Sequence, residues 1–179
     1  MIKALAAMVF VLSAATMAHA ADASLSPEAN AKYLAQAAKQ NGFVIRPSGL
    51  RYRIIQNGSG KHPTINDSVD VYYTGKLING EVFDGTEEGF PRSFAVKGLI
   101  NGWKEALQIM REGDHWELVI PSNLAYGAAG SHDGSVPPDQ TLVFDLQLIG
   151  VAAKSPQQLQ AEQAEKAREE QTHPGPGAD

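Results

Sequence analysis

Between residues 69 and 77 the two kinds of side chain alternate without a break. Val69, Val71, Tyr73, Gly75 and Leu77 fall on one face, and Asp70, Tyr72, Thr74 and Lys76 on the other. Successive side chains of a strand point to opposite faces, so this pattern predicts a strand buried on one side. The same period governs Leu50, Tyr52 and Ile54 against Arg51 and Arg53, then Trp116, Leu118 and Ile120 up to Pro121, and then Leu142, Phe144, Leu146 and Leu148. Asn79-Gly80 is a hairpin pair, with Val82-Phe83 opening the return strand, and Phe94 and Val96 mark a short strand. Within this stretch one segment changes period: Trp103, Ala106, Leu107 and Met110 lie at helical spacing, with Asn101 as the expected cap and Gly113 as the expected stop. Strands without a strand–helix–strand rhythm, plus one amphipathic helix, predict an α+β fold: an antiparallel sheet with the helix on its apolar face.

The flanks are different in kind. Lys3, an apolar run from Ala4 to Met17 and Ala18-His19-Ala20 form the pattern of a cleaved export signal over residues 1–20. The run is shorter than the roughly 20 residues a spanning helix needs. Residues 21–45 read as a helical leader, with Ser26 as cap, Pro27 in the first turn, Gly42 at the end and a weak face of Ala29, Tyr33, Ala37 and Gln40. Residues 46–150 hold the strong patterns. Residues 151–179 are rich in Gln, Glu and Ala before Pro174-Gly175-Pro176-Gly177, and read as a polar tail, partly helical or disordered.

Much chemistry is excluded. The 179 residues contain no cysteine, which removes disulfides, thiolate nucleophiles and cysteine-held metals. A net charge of -5 with no basic run argues against a nucleic-acid partner. Gly58-Ser59-Gly60-Lys61-His62 fails as a phosphate loop, because Ile55 and His62 stand where Gly and Ser or Thr are needed. Pro63 replaces the third glycine of a dinucleotide fingerprint, and no Gly-x-Ser-x-Gly elbow exists. The five histidines lack metal-ligand spacing, and His132-Asp133 reads as a solvated loop pair. No cofactor and no metal are expected.

What remains is the aromatic set. Ten aromatic residues fall within 46–150: Tyr52, Tyr72, Tyr73, Phe83, Phe90, Phe94, Trp103, Trp116, Tyr126 and Phe144. Several resist assignment to the core. Phe83 is followed by Asp84 just past the hairpin, Trp103 sits on the first helical turn, and Tyr126 lies in a loop between Ala125 and Gly127. Tyr73 puts a hydroxyl on an apolar face, where it needs a partner.

These segments resemble one family. Val71-Tyr72-Tyr73-Thr74-Gly75, Gly80-Glu81-Val82-Phe83-Asp84, Leu99-Ile100-Asn101-Gly102-Trp103, Leu124-Ala125-Tyr126-Gly127, Val136-Pro137-Pro138 and Thr141-Leu142-Val143-Phe144-Asp145-Leu146 match, in order, the motifs of FKBP-type peptidyl-prolyl isomerases. Ser48-Gly49-Leu50-Arg51-Tyr52 with a leader ahead of it resembles the exported, macrophage infectivity potentiator branch. The resemblance implies a curved antiparallel sheet wrapped around one short helix. It implies a pocket floored by Trp103, walled by Tyr73, Phe83, Phe94 and Phe144, bordered by Leu99 and Ile100, and closed on one side by Val136. Tyr126 would offer its hydroxyl to a substrate carbonyl, the Ile100 N–H would do likewise, and Asp84 would be a polar partner of Tyr73 rather than an acid–base group. Arg92 stands where many members carry an aromatic residue, so the rim there is expected to be more open or more cationic. The Gly-rich loop 127–135 is expected to be mobile.

The implied activity is rotamase activity, cis/trans isomerisation of the bond before proline in exported polypeptides, in the periplasm or outside the cell. The implied ligands are proline-containing flexible chains and macrolides such as rapamycin and tacrolimus. The alternative is a periplasmic holdase chaperone, or a host-directed binding protein, using the same groove. The mature chain is expected to be a monomer or a weak homodimer through a 27–41 helix, without a membrane anchor.

Overall fold

The computed structural model describes residues 23–152, with Ala164 and Arg168. The expected export signal and nearly all of the expected tail lie outside the described residues. Seven strands form one antiparallel sheet: β1 Phe43–Ile45, β2 Arg51–Gln56, β3 Ser68–Leu77, β4 Val82–Gly85, β5 Arg92–Ala95, β6 His115–Ile120 and β7 Leu142–Ala152. The order is β1-β2-β6-β7-β3-β4, and β5 also pairs with β3. Helices α1 Pro27–Ala37 and α2 Asn101–Ile109 accompany them. No helix among the described residues is long and apolar enough to cross a membrane.

β3 organises the sheet. Its alternation is realised residue by residue, with Val69, Val71, Tyr73, Gly75 and Leu77 all buried. One edge pairs with β7 along its whole length. The other edge is shared: Ser68–Val71 pairs with β5, and Thr74–Lys76 pairs with β4. At Tyr73, between these two pairings, Thr86 takes over. Its Oγ1 accepts from the Tyr73 N–H at 3.1 Å and its own N–H donates to the Tyr73 carbonyl at 2.9 Å. The split therefore stays hydrogen-bonded while the chain from β4 to β5 swings away from the sheet.

Helix α2 lies on the apolar face. Trp103, Ala106, Leu107 and Met110 are buried together with the inward residues of β3, β6 and β7. Its ends differ from expectation. Ile100 is the N-cap residue with no side-chain capping bond, and Asn101 is already helical. The helix stops at Ile109, and Gly113, at φ +90°, serves instead in the Arg111–Asp114 turn into β6. Asp114 ties that turn, accepting from the Arg111 N–H at 2.6 Å and from the Gly58 N–H at 2.5 Å. Val96, expected in a strand, opens a one-turn 3-10 helix, Val96–Gly98.

The leader is shorter in helix and richer in sheet than its composition predicts. Ser26 caps α1, its Oγ accepting from the Ala29 N–H at 3.2 Å, and Pro27 occupies the first turn. The helix ends at Ala37, well before residue 41. Gly42, at φ +88°, reverses the chain, and Phe43–Ile45 pairs with Arg51–Arg53. A run of Phe, Val and Ile favours a strand over a last helical turn, which explains the difference. The buried positions of α1 are Asn30 and Ala37.

Candidate functional site

The split edge of β3, the N-terminal end of α2 and the loop after β6 converge on one cavity of about 200 Å³. Tyr73, Phe83, Asp84, Phe94, Gly98, Leu99, Ile100, Trp103, Tyr126 and Phe144 line it. Trp103, 3% exposed, is the hub. Tyr73 meets its ring edge-on at 5.2 Å and 90°, Phe144 at 5.2 Å and 79°, and Phe94 at 6.1 Å and 86°. Phe83 stands against Phe144 at 5.7 Å and 85°. Perpendicular pairs set each positive ring edge against a negative ring face, so the walls hold one another in place. The indole Nε1 of Trp103 is buried with no hydrogen-bond partner, which costs about 1–3 kcal/mol.

Gly75 makes this arrangement possible. A Cβ there would lie 2.7 Å from Phe83 Cζ and 2.8 Å from Phe144 Cε1. The two rings thus close over bare backbone in the middle of β3. Gly102 plays the same part beneath α2, where a Cβ would meet Ile120 Cγ2 at 2.5 Å.

One wall is polar. The Tyr73 hydroxyl donates to Asp84 Oδ2 at 2.5 Å, and Arg92 Nη1 donates to the Tyr73 oxygen at 2.9 Å and to Asp84 Oδ1 at 3.0 Å. Burial, followed by the bond to Asp84, pushes the Tyr73 phenol up to about 12. It therefore stays neutral and donating at physiological pH. The Asp84–Arg92 pair is half exposed and contributes little to stability by itself. Its effect is to orient Tyr73. Arg92 thus fills an aromatic position with a side chain laced into the rim, and the cation expected there is engaged rather than free.

Tyr126 faces the cavity from the loop after β6. Its phenol is raised by burial and by the nearby Asp84 and Asp133 carboxylates. Its hydroxyl and the Ile100 N–H have no hydrogen-bond partner among the described residues. The loop that follows is stitched rather than loose. Asp133 Oδ1 accepts from Ser131 Oγ at 2.6 Å, from Ser135 Oγ at 2.8 Å and from the Ser135 N–H at 3.1 Å. These hydrogen bonds hold the Asp133 carboxyl down at about 2. His132 and Asp133 are both exposed, as expected of a solvated loop pair, and polar contacts around Asp133 stand in for the large apolar residues absent from 127–135. The Ser131 hydroxyl also accepts from the Val136 N–H at 2.8 Å, and the Ser131 N–H donates to the Val136 carbonyl at 2.9 Å. Val136 does not line the cavity as expected. It is 2% exposed and packs in the same buried cluster as Tyr73, Trp103 and Phe144, which do reach the cavity. Gly98 is a lining residue that sequence reasoning missed, having no side chain to announce it. No group of His, Asp or Glu among the described residues is placed to hold a metal.

Residues 59–149 match the family model described as FKBP-type peptidyl-prolyl cis-trans isomerase. The chain belongs to the FKBP family. Among relatives of this FKBP chain, the FKBP-type 22 kDa peptidyl-prolyl cis-trans isomerase of Escherichia coli is 48% identical over 121 residues, covering 67% of the chain and 58% of the relative. The outer membrane protein MIP of Legionella longbeachae is 50% identical over 111 residues, covering 62% and 47%. A crystal structure of a peptidyl-prolyl cis-trans isomerase from Pseudomonas syringae superposes with a TM-score of 0.65 at 36% identity, covering 70% of the chain and 92% of that structure. The chain spans only about half to three-fifths of the length of these curated relatives. The FKBP fold and the macrophage infectivity potentiator-like branch expected from the motifs are both borne out.

Proposed function

We propose that this FKBP domain accelerates cis/trans isomerisation of Xaa–Pro bonds in exported, flexible polypeptides. The observation that carries the reading is the apolar cavity floored by Trp103 with two unengaged donors at its edge, the Tyr126 hydroxyl and the Ile100 N–H. The barrier to peptide rotation is about 18–20 kcal/mol and comes from amide resonance. Water stabilises the charge-separated form through the carbonyl oxygen, and an aromatic pocket withdraws that help. A site that fits the twisted bond better than the planar one lowers the barrier with no nucleophile, metal or proton transfer. A thousand- to million-fold acceleration requires roughly 4–8 kcal/mol. In this reading Trp103 seats the proline ring, Tyr73, Phe83, Phe94, Leu99 and Phe144 enclose it, and Asp84 with Arg92 orients Tyr73. Macrolides such as rapamycin and tacrolimus would compete for the same cavity. The relatives' names and the pattern of residues 3–20 favour action outside the cytoplasm. The packing of α1 against its own domain favours a monomer.

The test is isomerisation of a short Xaa–Pro peptide by the full chain, followed by exchange NMR. Acceleration is expected, and Tyr126→Phe should reduce kcat/KM roughly five- to tenfold, the worth of about one hydrogen bond. An inactive parent chain sinks the reading. Phe90, 72% exposed on the connection between β4 and β5, the strands that bring Phe83, Asp84 and Phe94 to the cavity, favours a second role in holding unfolded chains. Protection of a proline-free client separates the two.

A further inference from the structure

The leader helix docks through a polar contact that no hydrophobic pattern reveals. Asn30 is 5% exposed and Gln140 is 7% exposed, and their side chains meet at 3.1 Å, Asn30 Nδ2 to Gln140 Oε1. Asn30 Oδ1 accepts from the Thr141 N–H at 2.7 Å, while its Nδ2 also donates to the Leu25 and Ser26 carbonyls at 3.1 Å each. Gln140 Nε2 donates to Leu25 O at 3.2 Å and to Pro138 O at 2.9 Å. Every side-chain polar atom of this buried pair is engaged. Such a pair resists sliding, because a displaced amide leaves desolvated groups unpaired.

The turn so clamped leads to the pocket. Asp139 is the one non-glycine residue with positive φ among those described, at +60°, and its N–H donates to the Gly127 carbonyl at 2.8 Å. Gly127 directly follows Tyr126. Gly130 lies so close beneath the same turn that a Cβ on it would stand 2.6 Å from the Val136 carbonyl. A continuous path of short contacts therefore runs from α1 through Gln140 and Asp139 to the backbone bearing Tyr126.

We infer that Asn30 is a positioning residue for the Tyr126 hydroxyl, acting through the Pro138–Thr141 turn, so that this one contact of the leader helix is a working part of the site. The inference rests on the isomerase reading for its kinetic arm alone. A docking contact with no bearing on the site would lower stability and leave the geometry of Tyr126 unchanged. The test is a double-mutant cycle on the full chain with Asn30→Ala and Tyr126→Phe. Asn30→Ala should lower kcat/KM roughly tenfold in the parent, as a misplaced donor does, and less than twofold in the Tyr126→Phe background. Ala37→Gly, which loosens the same helix away from residues 140–141, should lower stability and leave kcat/KM unchanged. The Tyr126 ring-carbon resonance, followed by NMR, should shift with Asn30→Ala and not with Ala37→Gly. Equal losses in both backgrounds, or an unmoved Tyr126 resonance, overturn the inference. Should Asn30→Ala fail to fold, Asn30→Asp keeps the acceptor for the Thr141 N–H, loses the donor to Gln140, and is read in the same cycle. An inactive parent chain would sink the isomerase reading, while the resonance would still decide the role of Asn30.

Discussion

Replacing Gly75 with alanine isolates a steric demand at the pocket. Its φ is not in the left-handed region, so the backbone accepts alanine without strain and the added methyl group is the whole perturbation. That methyl would sit 2.7 Å from Phe83 Cζ, 2.8 Å from Phe144 Cε1 and 3.2 Å from Phe144 Cδ1. Carbon atoms rest at about 3.5–4.0 Å, so each ring must retreat by roughly 1 Å. Both rings border the cavity, but Phe144 is 4% exposed and held in the core cluster, whereas Phe83 is only partly buried. Phe83 should therefore yield, into the cavity. Overpacking of this kind costs about 1–3 kcal/mol. A denaturation midpoint reads the stability loss, and peptide isomerisation should fall by more than tenfold. Phe83→Leu in the same chain should recover most of the stability, because the clashing ring is gone. Gly80→Ala is the control: at φ +92° it carries backbone strain, but nothing lies within 4 Å of its Cβ, so it should leave kcat/KM unchanged. A Gly75→Ala chain as stable and as active as the parent would refute the reasoning.

Other outcomes follow from the same geometry. The Tyr73 phenol is raised from its ordinary value of 10 to about 12, so the neutral form is the one the fold favours. Its contribution is complete below pH 10 and should disappear as the pH rises through about 12, and ultraviolet titration of Tyr73→Phe against the parent should lose the last-ionising tyrosine. Asp133 has the opposite sign: held at about 2 against an ordinary 3.8, its stitching of the 131–136 loop is intact above pH 3.8 and should be lost as the pH falls through about 2. Amide exchange at Ser135 and Val136 should rise over that window in the parent, and Asp133→Asn should already exchange fast at neutral pH. Phe90→Ser should change stability by less than about 0.5 kcal/mol and spare peptide isomerisation; reduced protection of a proline-free client would support the holding role, and unchanged protection would remove it.

The sheet was readable wherever one face is buried. In β3, and in β7 from Leu142 to Leu148, every second residue is buried, and that period survives in the sequence. The stripe of α2 is legible for the same reason, since Trp103, Ala106, Leu107 and Met110 all face one core. β1 was not legible. Three residues are too few to show a period, and Val44 and Ile45 remain 46% and 49% exposed. The ends of α2 were misplaced because Asn101 is a good cap by type, yet the chain enters the helix one residue earlier through Ile100.

For the site, sequence alone determined which rings and which hydroxyls are available, and the family motifs ordered them: Tyr73, Phe83, Asp84, Phe94, Leu99, Ile100, Trp103, Tyr126 and Phe144 all line the one cavity. Tertiary structure decided the rest. It turned Val136 into the core, threaded Arg92 between Tyr73 and Asp84, and buried Asn30 against Gln140 and Thr141. The physical reason is one of range. A buried apolar side chain needs only a face, and periodicity along the chain records faces. A buried polar side chain needs a particular partner atom, and for Asn30 those partners stand 110 and 111 residues away.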